Sequence, residues 1–340
     1  MRGGPERDAP GATDGDAERG TRPRRRPATP ARSTARTPEP RTDTLTAIRA
    51  RGALRVLVSQ GQPGLSLLTG DGRWTGLDAD VARAVAAAVL GDPEAVEWRP
   101  AGSAERLSRL AAGQADLTVC NVSWTMGREA AHGLLFAGVT CYDGEGFLVR
   151  ADSGVQDPAA LAGRRLAVHA GATTADNLAA WYGPRGLAVR PVAFDQPRQA
   201  LRAYATGDCA AYVLDKVALA GARRTLPDPE AHRILPAAIS REPMAAVVRD
   251  DDPRWFRVCR WVLQLLVAAE YEPPGVARRA GRHGPAAGLD ERWAARVLDA
   301  VGDYADLYER NLGRTSGLDV PRGPNELWTR GGLHYAVPLH

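Results

Sequence analysis

Within six residues the segment NVSWTMGREAA (121–131) places two hydroxyls and a guanidinium, those of Ser123, Thr125 and Arg128, directly after the apolar run LTVC. An arginine presents a planar fork of donors that matches a carboxylate, and hydroxyls and backbone N–H groups can add to it. The competing reading is an ordinary helix start, with Thr125 as N-cap and Arg128 solvated. Three further polar segments follow apolar runs: Ser59-Gln60 after ALRVLV, His169 to Thr174 in HAGATT, and Asp215 after CAAYVL. In HAGATTADN, Gly171 permits a tight turn and Thr173 or Thr174 can cap the following helix, whose free N–H groups attract an anion. A plain strand-to-helix turn has the same letters. Asp215 can meet an ammonium group or simply open the next helix at the surface. A carboxylate clamp and a carboxylate, taken together, fit a zwitterion.

These residues need elements to hold them. ALRVLVSQG reads as a buried strand, and TGLDADVARAVAAAVLG as a helix with Val81, Val85 and Val89 on one stripe before Gly91. In SAERLSRLAAGQADLTVCNVS, Ser103 is expected to cap a helix carrying Leu107, Leu110 and Ala111. Gly113 ends it and LTVCNV forms the next strand. The same order returns in QPRQALRAYATGDCAAYVLD, from a helix through Gly207 to a strand ending on Asp215, and RRLAVHAGATTADNLAAWYG opens a second unit as ALRVLVSQG opened the first. The pattern predicts two similar α/β lobes with parallel sheets. Ligands in such sheets collect beyond the carboxyl ends of the strands, so the four polar clusters are expected to face one another.

Charge and composition narrow the function. The 340 residues allow one large domain or two lobes. The formal net charge of +4 is inflated by residues 1–44, which hold ten arginines against seven acids; the remainder is nearly balanced. That excludes the basic surface of a nucleic-acid binder. Lys216 is the only lysine, so abundant arginine looks compositional. Residues 1–44 lack aromatic residues and apolar periodicity and are expected to be a disordered, dispensable tail. No apolar run follows their positive charges, so a chain starting at Met1 is expected not to use the general secretory route. WVLQLLVAA (261–269) is too short to span a bilayer and reads as a buried helix. Cys120, Cys141, Cys209 and Cys259 have no metal-ligand spacing and are expected to be buried thiols, with no metal bound. Cys120 and Cys141, in one lobe, are a candidate pair under oxidation if their Cα atoms come within about 7 Å.

The succession GLDADVARAVAAAVLGDP, NVSWTMGRE, CYDGEGFLVR, HAGATTADNLA, VLDKVAL and NLGRTSGLDVPRGPNELWTRGGLHYAVP resembles the general L-amino-acid-binding branch of ABC-transporter solute-binding proteins, over about residues 44 to 340. The resemblance implies an α/β, two-lobed periplasmic-binding-protein-like fold (type II), with hinged lobes each holding a mainly parallel sheet. Lobe 1 would comprise 45–142 plus 246–340 and lobe 2 residues 146–240, with hinge strands near Gly144 to Leu148 and Met244 to Val247. By position, Arg128 matches the arginine that grips the ligand α-carboxylate and Ser123 its hydroxyl partner. Asn121 matches a backbone contact, Thr173 the second-lobe carboxylate donor, and Asp215 the acid that binds the α-ammonium. Ser59 stands where many relatives have a side-chain-reading Asp, and His169 at a variable pocket position. Ala167 stands where the branch often has a cysteine, so the disulfide that Cys209 would make is expected to be lost. The implied protein is a monomer without cofactor. It binds a free L-amino acid, works with an ABC permease and lies outside the cytoplasm, although the sequence shows no export signal. Two alternatives stand beside it: a dehydratase-like enzyme with His169 as general acid, and a cytosolic amino-acid sensor.

Overall fold

The computed structural model describes residues 43–339. In chain order the strands are β1 (Leu54–Val58), β2 (Leu67–Leu68), β3 (Trp74–Thr75), β4 (Val96–Pro100), β5 (Leu117–Thr118), β6 (Leu134–Asp143), β7 (Glu145–Arg150), β8 (Arg165–His169), β9 (Arg190–Phe194), β10 (Ala211–Asp215), β11 (His232–Ile234) and β12 (Glu242–Arg249). One sheet has the order β4-β1-β5-β12-β6 and the other β11-β7-β10-β8-β9, while β2 and β3 form a hairpin. Taken from its other edge, the second sheet runs β9-β8-β10-β7-β11. The echo between the two halves of the sequence is therefore a structural repeat, with β1 matching β8 and β5 matching β10. In each sheet only the fourth strand, β12 or β7, runs against the rest, so both are mainly parallel and the fold is the expected two-lobed one.

The chain passes from the first sheet to the second at Gly144 and returns between β11 and β12. The two crossings are stitched together: Glu145 N–H donates to Ser240 Oγ (3.1 Å) and Ile239 N–H to the Glu145 carbonyl (2.9 Å). The return crossing thus lies a few residues before the expected Met244–Val247. That apolar stretch is an interior strand segment paired with β6.

Local sequence accounts for the helices that carry the site. Leu77–Leu90 buries its valine stripe and most of its other residues, and Gly91 ends it in the left-handed region. Ser103 does not cap the next helix, which spans Arg106–Ala111 with Glu105 at the N-cap position. The SAE segment forms a turn instead, and Ser103 lines the cleft. Pro253–Tyr271 is the expected buried helix, and among the described residues no helix is long and apolar enough to cross a membrane. Asp252 caps it through Arg254 and Trp255 N–H groups and also accepts from Thr44 N–H at 2.7 Å. Asp43 caps the helix Thr44–Arg51; the expectation for the tail otherwise concerns residues outside those described. In the NELWTRGGLHYAVP segment, Asn325 pairs with both the N–H and the carbonyl of Tyr142, bracing the end of β6 beside the crossing.

All four cysteines are buried free thiols. The Cys120–Cys141 pairing is corrected: Cys120 packs with Leu57, Phe136 and Val247, and Cys141 with Val56, Ala137 and Met244. The alternation of a β-sheet sends these two groups of side chains to opposite faces, so the two sulfurs are separated by the sheet.

Candidate functional site

Each of the four polar clusters leaves the end of a strand and enters the cleft between the lobes. Asn121, just past β5, has φ of 40°, a left-handed conformation that Asn tolerates better than most residues. Its backbone N–H donates to Asp78 Oδ2 (3.1 Å) and its Oδ1 accepts from Arg106 (3.1 Å). Its Nδ2 donates across the cleft to Asp215 Oδ2 (3.0 Å), at the end of β10. The two lobes are therefore joined by a direct side-chain hydrogen bond between equivalent positions of the structural repeat.

The Thr125 N-cap of the helix-start reading is present in NVSWTMGRE. Thr125 caps the helix Met126–His132 by accepting from Arg128 N–H (3.2 Å). The Arg128 side chain turns back, and its Nη1 donates to the carbonyl of buried Ser123 (3.0 Å). Arg128 is half-buried. Burial and Arg106 hold its pKa below the usual value, opposed by Glu242, Asp215 and Glu145. Ser59 is buried with its hydroxyl 2.5 Å from that of Ser66. His169, at the end of β8, places Nε2 2.6 Å from the Tyr212 hydroxyl, and burial with the Arg106 charge pushes its pKa down to about 4. Thr173 sits at the N-cap of the helix Thr174–Tyr182 without a capping bond, its hydroxyl 3.5 Å from Glu242.

Several residues around this cleft were not singled out by sequence. Glu145 and Glu242 start the two strands that follow the crossings. The Glu145 carboxylate accepts from Thr174 Oγ1 (2.5 Å) and Asn177 Nδ2 (2.6 Å), and the same Asn177 nitrogen reaches Glu242 (2.6 Å). Register sets Asp215 opposite Glu145 and Glu242 opposite Asp143, so four acids share the base of the cleft. Burial raises the pKa of Asp143 and Glu145, with Asp215 adding to each, and burial together with Glu242 raises that of Asp215. The cations that act on these acids are Arg106, Arg128 and Lys216. The hydrogen-bond partner of the Asp215 carboxylate is a neutral amide, that of Asn121. Arg106 is buried, and its guanidinium donates to the carbonyl of Cys120 and to Asn121. The sequence signal for these residues was weak, since an acid at the first position of a strand or an arginine at a helix start is usually solvated.

Ser59, Gln60, Gln62, Ser103, Arg106 and Asn121 of lobe 1 enclose, with His169, Ala170, Asp195 and Pro197 of lobe 2, a cavity of about 20 Å³. A larger cavity of about 320 Å³, beside Trp261 and Trp293, is lined by lobe 1 alone. The narrow cavity is the one at the strand ends, as expected for a ligand site of this architecture. No group of His, Cys, Asp and Glu among the described residues is arranged to hold a metal ion.

The buried acids make stability depend on pH. Burial pushes Asp78 up to about 7, above its ordinary value of 3.8. The folded chain then binds more protons than the unfolded one across this interval, so stability falls as pH rises from about 4 to about 7. Asp78→Asn is expected to remove a share of that slope on the order of 3 kcal/mol. Urea denaturation at pH 4.5 and 7.5 checks it, and an unchanged slope would refute it.

Comparison with known proteins places the chain in context. Residues 54–280 match the family model for bacterial extracellular solute-binding proteins, family 3. The general L-amino acid-binding periplasmic protein AapJ of Rhizobium johnstonii is 36% identical over 315 residues, which cover 87% of this chain and 92% of the relative. The glutamate/glutamine/aspartate/asparagine-binding protein BztA of Rhodobacter capsulatus is 36% identical over 314 residues, 87% of this chain and 93% of its own. Among solved structures, an ABC transporter/periplasmic binding protein from Brucella ovis with glutathione bound superposes with a TM-score of 0.85 at 36% identity, covering 88% of this chain and 100% of that one.

Proposed function

Because the chain belongs to family 3 of the bacterial extracellular solute-binding proteins, we propose that it holds a free L-amino acid between its lobes and presents the closed form to an ABC permease. The observation that carries this reading is the Asn121–Asp215 hydrogen bond across the cleft, with half-buried Arg128 held on the Ser123 carbonyl beside it. An α-ammonium replaces the Asn121 amide on Asp215, turning a neutral contact into a charge-assisted one. The α-carboxylate takes the Arg128 guanidinium, aided by Ser123. Ser59, Asn121 and His169 line the side-chain end, and Thr173 supplies a second-lobe hydroxyl. AapJ, named a periplasmic protein, supports a site of action outside the cytoplasm.

Binding rather than catalysis is favoured by the state of His169. Burial and the Arg106 charge hold its pKa down at about 4, and its Nε2 is engaged with Tyr212, so near pH 7 it is not the imidazolium that serves as a ready proton donor. Calorimetric titration of the purified chain with the twenty common L-amino acids tests the proposal, with mass analysis of the recovered ligand. Saturable binding and unchanged ligand are expected. No binding to any amino acid, or a converted product, would overturn it.

A further inference from the structure

The cavity of about 320 Å³ in lobe 1 shares no lining residue with the cleft cavity. Its walls come from the helices Pro253–Tyr271 and Trp293–Val301, the turns between them and the chain near Leu339, and they are mainly apolar, with Val258, Trp261, Leu289, Trp293 and Leu339. Trp293 is fixed by its Nε1–H, which donates to the Ala280 carbonyl (3.2 Å). The frame is close-packed around the opening. A Cβ on Gly284 would lie 2.7 Å from the Trp293 ring, and one on Gly281 would strike the Glu291 carbonyl. Such a frame has no slack with which to close the space. An open apolar space forfeits dispersion contacts and holds water poorly, and small-molecule pockets start at roughly 300 Å³.

The rim carries charge of one sign. Arg254, Arg257 and Arg260 follow at three-residue spacing on the helix Pro253–Tyr271, and all three are exposed. Two of them are engaged: Arg254 donates to the Ala287 carbonyl (3.4 Å), while Arg260 donates to the Ala137 carbonyl (3.3 Å) and lies over the Phe256 ring (4.3 Å). Arg257, which lines the cavity, has no side-chain hydrogen bond or ion pair among the described residues. His283 stands at the same rim, and no acid is among the lining residues.

We propose that this cavity is a second binding site, which takes a small monocarboxylic acid with its apolar body against Trp261 and Trp293 and its carboxylate on Arg257. The proposal is independent of the amino-acid reading of the cleft. A carboxylate matches the fork of an unengaged guanidinium. A cationic head would meet that guanidinium with no acid to offset it, and a free amino acid would bring its ammonium to the same rim. A body rich in hydroxyls would leave them unpaired against Val258, Leu289 and Leu339.

Calorimetric titration of the full chain with butanoate, hexanoate, octanoate and octylammonium tests this. Octanoate is expected to bind saturably, with affinity rising by roughly fourfold for each methylene added along the series. Octylammonium is expected to bind roughly tenfold more weakly than octanoate, or less well still. Arg257→Gln is expected to lower octanoate affinity by roughly fivefold or more. Ala286→Trp, at an exposed position of the lining, is expected to fill the cavity and abolish binding, with circular dichroism confirming the fold. Arg128→Ala, in the cleft, is expected to leave octanoate binding unchanged. No saturable octanoate binding, equal binding of octylammonium, or full binding in folded Ala286→Trp would each overturn the proposal. Loss of octanoate binding in Arg128→Ala would put the acid in the cleft and overturn it as well.

Discussion

Arg128→Ala and Asp215→Ala are each expected to fold normally and to lose amino-acid affinity by about thirtyfold to several thousandfold, a cost of roughly 2–5 kcal/mol. Each substitution leaves one charged end of a zwitterion desolvated and unpaired. Neither side chain holds its lobe together. Among the described residues the Arg128 side chain hydrogen-bonds to the Ser123 carbonyl alone, while the cap at Thr125 uses the Arg128 backbone N–H and survives the change. The Asp215 carboxylate accepts from Asn121 of the other lobe, and its removal relieves the burial of an acid and its repulsion by Glu242, which together raise its pKa. Circular dichroism and thermal melts check the fold, and calorimetry the affinity. Wild-type chain is expected to ignore analogues that lack either the carboxylate or the amine. Wild-type affinity in Arg128→Ala would show that NVSWTMGRE is a helix start and nothing more.

Gly221→Ala is expected to weaken binding by roughly tenfold or more while leaving thermal stability unchanged or slightly raised. Gly221 lies within the helix Lys216–Arg224 of lobe 2, where alanine is the better helix former. A Cβ there would come 2.5 Å from the Pro63 carbonyl oxygen of lobe 1, too close for the lobes to approach as they do. A second point of approach lies at Gly171, where a Cβ would meet Ala104 at 2.6 Å and φ is +70°. Gly221 is the cleaner test because its backbone is ordinary, so the added methyl acts on closure and not on folding. Propping the lobes apart lowers the population of the binding-competent form, and the apparent affinity falls by that fraction. Undiminished affinity in Gly221→Ala would mean that this contact plays no part in closure.

The repeat of helix, glycine and strand that placed Asp215 opposite Asn121 was legible because it depends on order and periodicity, which a single sequence carries. The mainly parallel sheets follow from the same pattern. Other features depend on which side of a strand end faces the neighbouring lobe, and that is a tertiary fact. Glu145 and Glu242 look like ordinary strand-opening acids until the crossings bring them onto Asn177. Arg106 was discounted with the other arginines of an arginine-rich composition, yet its burial under β5 sets it apart. Ser103 failed as a cap because two more residues, Ala104 and Glu105, lie in the turn before the helix begins. The Cys120–Cys141 pairing failed because strand alternation, not sequence distance, decides which face a thiol occupies.

A crystal structure of the chain with a bound L-amino acid tests the central claim most directly. The account predicts the ligand ammonium on the Asp215 carboxylate, with the Asn121 amide displaced from it, and the ligand carboxylate within hydrogen-bonding distance of the Arg128 guanidinium. A ligand bound elsewhere, or one that leaves the Asn121–Asp215 bond and the Arg128–Ser123 contact intact, would contradict it.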